Sequence, residues 1–335
     1  MNNEDLALMA KGLVEPGKGL LAADESTGTI EKRFAKLGLV STPELNRKYR
    51  EMLFTSPRIE EFLSGVIMFD ETVKQKTNDV PFPQYLESRS IIPGIKVDEG
   101  KENFNGEDVT KGLEGLGERL KEYKKIGLKF TKWRAVIAIT EVYPSKEVIN
   151  ENAKRMAEYA FSSQENGLVP IFEPEVLMAG NHTTSRCEEV TTFTLKTLFS
   201  HLAQKGVVLE QALLKVNMVL PGKDSGVKAA PLEVAETTLR VLKNSVPETL
   251  PGVVFLSGGQ SPQEATQNLN EINKRKGDVP WQLSFSFSRA LQEETLNIWR
   301  GEDGNISESQ AVFVKRARLV SLARKGEYSP ELENE

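Results

Sequence analysis

LVPIFEPE, residues 168–175, is a short apolar run that closes on two carboxylates, Glu173 and Glu175. Side chains alternate along a β-strand, so residues two apart share a face. Both glutamates then leave one face at the C-terminal end of the run. The neighbouring runs do the same. LKFTKWR (128–134) ends with Lys132 and Arg134, and LEQALLKVN (209–217) ends with Lys215 and Asn217. Three consecutive strands are expected to aim polar groups the same way.

Working outward, the rhythm extends over the chain: KGLLAAD (18–24), GVIMFD (65–70), IPGIKV (92–97), GVVFLS (252–257) and QLSFSF (282–287). Eight short apolar runs alternating with helical patterns predict an α/β fold, a parallel eight-stranded (β/α)8 TIM barrel with helices outside. Spread over eight units, 335 residues leave about 42 per unit against the ~31 of a plain barrel, so extra helices are expected. With no linker, low-complexity segment or short repeat, 1–335 reads as one catalytic domain with a short N-terminal extension. Thr42-Pro43 opens a helix through Phe54. Ser261 and Glu264 have capping-box spacing for a helix ending near Lys276-Gly277, and Ser307 with Gln310 repeats it for a last helix reaching Lys325-Gly326. The tail SPELENE (329–335) is acidic and expected to be loose.

Composition narrows the function. Hydrophobic residues make up 39% and charged residues 27%, which excludes a disordered chain. One cysteine, Cys187, cannot form an internal disulfide, and two histidines, His182 and His201, are too few for a multi-histidine metal site. Neither a membrane-spanning apolar run nor a signal peptide is found. The net charge of −5 argues against general nucleic-acid or anionic-membrane binding. The expectation is a cytoplasmic enzyme without metal or cofactor.

The strand ends carry the chemistry, because barrel active sites lie at that face. Lys215 closes an apolar run, where desolvation and a neighbouring cation, such as Lys132, favour a neutral, nucleophilic amine able to form a Schiff base. A structural ion pair with a glutamate is an equally good reading of that lysine alone. Glu173 and Glu175 suit stepwise proton transfer, or static neutralisation of the lysines. Asp24 sits at a strand end before the small-residue turn ESTGT. Ser257-Gly258-Gly259 reads either as a plain turn or as a loop that cradles a phosphate on backbone N–H groups, and Arg289 after the next run can complete an anion site. Lys32, Arg33 and Lys96 read either as an ordinary exposed charged face or as a second basic group able to hold another anion.

Taken together, LAADESTGTIEKR (21–33), GIKVDEG (94–100), KWRAV (132–136), VPIFEPEVL (169–177), LLKVNMVLPG (213–222), FLSGGQS (255–261) and FSFSRALQ (285–292) resemble the class I fructose-1,6-bisphosphate aldolases, in order and from about residue 5 to 329. The resemblance implies a metal-free barrel lyase that reversibly cleaves fructose 1,6-bisphosphate to dihydroxyacetone phosphate and glyceraldehyde 3-phosphate, with the seven-carbon bisphosphate left open as a second substrate. It implies that Lys215 is the Schiff-base lysine and that Lys132 assists carbinolamine formation. It implies proton transfer by Glu173 and Glu175, and an acid at Asp24 for carbon–carbon cleavage. Arg134 is implied to bind substrate. Ser257, Gly258 and Arg289 are implied to hold one phosphate, with Ser288 offering its backbone N–H. Ser26, Thr29, Arg33 and Lys96, with Lys32 beside them, are implied to hold the other. Family members are often tetramers, so a homo-oligomer is expected. Two departures stand out: the chain has no terminal tyrosine after Glu335, and Ser288 replaces the glycine of an FSYGRAL motif. Competing readings are another Schiff-base barrel with one phosphate site, a zinc-dependent aldolase, which two histidines disfavour, and a fold-only binding protein.

Overall fold

The computed structural model describes residues 3–335; of the N-terminal extension, Met1 and Asn2 lie outside them. All eight apolar runs form parallel strands: β1 Gly19–Ala23, β2 Leu63–Met68, β3 Ile92–Lys96, β4 Phe130–Ile137, β5 Val169–Val176, β6 Leu213–Val216, β7 Gly252–Phe255 and β8 Gln282–Phe287. They close in the order β1-β8-β7-β6-β5-β4-β3-β2. Around them lie α1 Asn3–Leu13, α2 Thr27–Ala35, α3 Pro43–Phe54, α4 Leu116–Lys125, α5 Lys146–Glu165, α6 Thr184–Lys205, α7 Pro231–Ser245, α8 Pro262–Arg275, α9 Arg289–Trp299 and α10 Ile306–Lys325.

The strand period of two sorts side chains between barrel interior and helix layer. On β4, Thr131 and Trp133 face outward: the Thr131 hydroxyl lies 2.9 Å from Tyr159 Oη on α5, and the Trp133 ring stacks on Tyr159 at 5.3 Å. Phe130 and Lys132 take the alternate face. The lower interior is an apolar cluster of Leu20, Ala22, Ile67, Phe130, Val169, Ile171, Leu213 and Val254, joined by Leu6, Ala10 and Leu13 of α1. The N-terminal extension therefore plugs the bottom of the barrel. Gly94 on β3 is required there, since a Cβ would fall 2.3–2.4 Å from the Phe130 ring.

Helix-end chemistry follows the sequence with one exception. Thr42 accepts from Leu45 N, and Ser261 and Glu264 form a full capping box. The last helix instead begins at Ile306 after a 3-10 turn, Asp303–Asn305, without a side-chain cap. Ser307 therefore lies within the first turn and caps nothing; Gly326 ends the helix in the left-handed region as expected. Two further expectations need correction, and two hairpins were not anticipated. Run six is a strand only over 213–216, because Leu209–Gln211 makes a 3-10 turn. Two hairpins, 76–81 and 101–110, interrupt the connections on either side of β3 and lack the apolar alternation that marks a core strand. The tail is packed: Pro330–Asn334 is a 3-10 helix, and Glu333 receives Arg316 at 2.7 and 2.8 Å and the Tyr328 hydroxyl at 2.9 Å. Arg316 is 4% exposed, so the tail's acid supplies a counter-charge to a buried guanidinium.

Overpacking a well-filled core typically costs about 1–3 kcal/mol. Gly94→Ala is expected to lower stability by about that amount, with partial recovery in Gly94→Ala/Phe130→Leu, read from urea denaturation midpoints.

Candidate active site

The C-terminal ends of the strands open into a cavity of about 390 Å3. Every residue to which the family resemblance gives a catalytic or substrate-binding role lines it: Asp24, Ser26, Thr29, Lys32, Arg33, Lys96, Lys132, Arg134, Glu173, Glu175, Lys215, Ser257, Gly258, Ser288 and Arg289. Asn217 does not. The strand ends at Val216, and the Asn217 side chain turns outward, accepting from Val176 N at 3.0 Å and donating to Thr191 Oγ1 on α6 at 3.3 Å. It ties the end of β5 to the helix layer.

At the cavity floor four charges alternate, with Lys132, Lys215 and Glu173 buried and Asp24 half-buried. Lys132 Nζ lies 2.7 Å from Asp24 Oδ2 and 3.2 Å from Glu173 Oε2; Lys215 Nζ lies 3.1 Å from Glu173 Oε1. One carboxylate is shared by two ammonium groups. Two positive and two negative groups thus balance where isolated charges would cost several kcal/mol each. Lys132 and Lys215 are 2% and 4% exposed and Glu173 3%. Burial alone pushes carboxyl pKa values up, yet Lys132 and Lys215 override it and hold both Asp24 and Glu173 below the usual carboxylate range. Burial likewise depresses the Lys132 ammonium, but Asp24 and Glu173 reverse this and keep it protonated. Beside the floor, Arg134 donates from Nε to Glu175 Oε2 at 2.5 Å, and its Nη2 lies 2.5 Å from the same oxygen. Lys96 pairs with Asp98 at 2.6 Å.

Two donor-rich surfaces flank these charges. On one side Ser257-Gly258-Gly259 turns sharply, with φ +61° at Gly258 and +96° at Gly259, a conformation that needs glycine. Arg289 packs on the turn, its Nη2 lying 3.4 Å from where a Gly259 Cβ would sit. On the other side α2 starts at Thr27, with Ser26 as N-cap and Ser26 Oγ 3.0 Å from Thr29 Oγ1. Arg33 and Lys32 lie one turn further along, and Lys36, not anticipated from the sequence, joins them.

The larger omission is Glu25. Strict alternation would turn it away from Asp24, but β1 ends at Ala23 and the rule lapses with it. Glu25 lines the cavity and is 7% exposed. It pairs with Arg33 and with Arg50, the latter at 2.5 Å, and accepts from Ser288 Oγ at 2.8 Å. Two adjacent acids at a strand end, followed eight residues later by an arginine, were the available signal.

Residues 5–335 match the class I fructose-bisphosphate aldolase family model. The chain belongs to the class I fructose-bisphosphate aldolase family. It is 48% identical to the probable class 1 fructose-bisphosphate aldolase of Xanthomonas campestris, over 98% of this chain and 99% of that one. It is 50% identical to cytosolic fructose-bisphosphate aldolase 5 of Arabidopsis thaliana, over 97% and 92%. Its fold matches the aldolase of Plasmodium falciparum, solved in complex with TRAP and a small-molecule inhibitor, with a TM-score of 0.95 and 47% identity over 97% of this chain and 95% of that one. The activity is thus aldol cleavage of fructose 1,6-bisphosphate, by the Schiff-base chemistry general to class I.

The depressed carboxyl values of Asp24 and Glu173 give a pH dependence. In the unfolded chain these groups take up protons at higher pH than in the folded one. Their contribution to stability is therefore full above the ordinary carboxylate range and is lost as pH falls below it. Denaturation midpoints between pH 7 and 3 are expected to fall below about pH 4.5, less steeply in Asp24→Asn. An equal slope in that variant would contradict the assignment.

Proposed function

We propose that Lys215 is the imine-forming residue of this aldolase, on the single observation that its amine and that of Lys132 share the Glu173 carboxylate on the cavity floor. Loss of one proton from Lys215 frees a nucleophile for the substrate's C2 carbonyl, and Glu173, 3.1 Å away, is placed to accept it. Lys132 stays charged, because Asp24 and Glu173 favour its ammonium, and steadies the oxygen that leaves as water when the carbinolamine becomes an imine. The protonated imine draws electrons from the C3–C4 bond. Asp24, kept ionised by Lys132 and Lys215, takes the C4 hydroxyl proton as that bond breaks, giving the aldehyde and an enamine on Lys215. Protonation of the enamine and hydrolysis of the imine return the amine. Glu173 and Glu175 serve these proton transfers, with Arg134 orienting Glu175 and contacting substrate.

Two anion sites fit a substrate with a phosphate at each end. β6 neighbours β7 in the barrel, so the Ser257-Gly258-Arg289 surface, with the Ser288 N–H, receives the C1 phosphate, one carbon from the imine. Ser26, Thr29, Lys32, Arg33 and Lys96 receive the C6 phosphate. Convergent cations attract a polyanion despite the overall charge of −5. We also place the enzyme in the cytoplasm, supported by the cytosolic relative named above; among the described residues no helix is long and apolar enough to cross a membrane. Assembly into a homo-oligomer is proposed on the family resemblance.

Borohydride trapping with dihydroxyacetone phosphate, followed by peptide mass mapping, tests the central role. A reduced adduct is expected on Lys215, and none in Lys215→Met. An adduct on Lys132 would reverse the two lysines' roles. Absence of any adduct in folded protein under saturating ligand would overturn the reading.

A further inference from the structure

Ser288 occupies the N-cap of α9, a position where a serine hydroxyl ordinarily accepts from the first turn of its own helix. Here it makes no side-chain cap. Its hydroxyl turns instead to the end of the neighbouring strand β1, donating to Glu25 Oε1 at 2.8 Å and accepting from Arg33 Nη2 at 3.0 Å. Gln292 Nε2, one turn along α9, also approaches it at 3.3 Å. The other Arg33 nitrogen, Nη1, goes to the same Glu25 oxygen. Behind Glu25 stands Arg50, 2% exposed, which donates to Oε2. Arg33 is thus held by two groups at once, and the second, the Ser288 hydroxyl, is one that glycine in the FSYGRAL form of the motif cannot provide.

We propose that Ser288 and Glu25 form a clamp that presets Arg33 for the remote phosphate, so that this chain's preference for bisphosphates over monophosphates rests partly on a hydroxyl. The inference rests on the two-phosphate reading above, in which Arg33 faces the C6 phosphate. Arg33 carries five N–H donors; the clamp uses one on each terminal nitrogen and leaves three. Fixing the fork before the ligand arrives removes the rotamer freedom that a mobile arginine loses on binding. The Glu25 charge remains compatible with a nearby phosphate because Arg33 and Arg50 together exceed it by one positive charge. Ser288 and Glu25 are positioning residues, acting through Arg33.

The test compares kcat/KM for fructose 1,6-bisphosphate and for fructose 1-phosphate, which lacks the remote phosphate. Glu25→Gln strips buried Arg50 of its counter-charge and endangers folding, so the measurement uses Ser288→Gly, Ser288→Ala and Ser288→Thr. In the glycine and alanine variants the bisphosphate-to-monophosphate ratio is expected to fall about fivefold, as one lost hydrogen bond of ordinary net strength gives. The loss should lie in KM for the bisphosphate rather than in kcat, and Ser288→Thr should restore the ratio. An unchanged ratio, or an equal fall for both substrates, would overturn the proposal. A rising ratio would do so too, since the clamp would then be withholding Arg33. The wild-type ratio, measured alongside, separates the two levels. A wild type that favours the bisphosphate, with an unmoved ratio in the variants, sinks the clamp alone; a wild type that handles both substrates equally sinks the two-phosphate reading beneath it.

Discussion

The Glu173 carboxylate, shared between two buried ammonium groups, is the constraint on which the site depends. A lysine with 2–4% of its surface exposed is not sustained in a barrel by packing; it needs a counter-charge at contact distance. Glu173 gives one oxygen to Lys132 and the other to Lys215, and Asp24 completes Lys132. Removing any member leaves a neighbour less compensated. The same balance keeps Asp24 and Glu173 ionised, the state a base must hold before it can accept a proton.

Strand geometry makes this arrangement possible. In the β4–β5 register Lys132 lies opposite Ile171 and Arg134 opposite Glu173, while Arg134 and Glu175 pair one step further up. Charged residues therefore stack in layers above the apolar plug built by α1 and the lower strand residues. The charges to which we assign catalysis sit on strands, where packing fixes them, or, for Asp24, one residue past β1. The groups we assign to phosphate sit, apart from Lys96 on β3, just past strand ends, on glycine turns and helix starts that present N–H donors. Rigidity and anion affinity are thus assigned to different parts of each β/α unit.

What the sequence made legible follows the same division. Wherever a strand continued, the period of two placed the side chain correctly, as at Lys132, Glu173 and Lys215. Past strand ends it failed at two positions. Asn217 was expected beside Lys215, but it lies beyond the end of β6 and turns to Thr191. Glu25, beyond the end of β1, swings in to meet Arg33, Arg50 and Ser288. Neither turn is readable from alternation, because both are set by partners distant in sequence. The acidic tail misled for a related reason: composition suggested solvent, but Glu333 has a buried partner in Arg316. The helix caps at Thr42 and Ser261 were legible because the chemistry is local, whereas Ser288 gave up its cap to bonds with residues 25 and 33.

A double-mutant cycle on Glu173→Gln and Lys132→Met, read from unfolding free energies at neutral pH, measures the shared carboxylate most directly. Each single variant leaves an opposite charge buried and less compensated. The account predicts that the double variant is more stable than the summed single effects imply, by about 1–3 kcal/mol. Additivity within experimental error would contradict it.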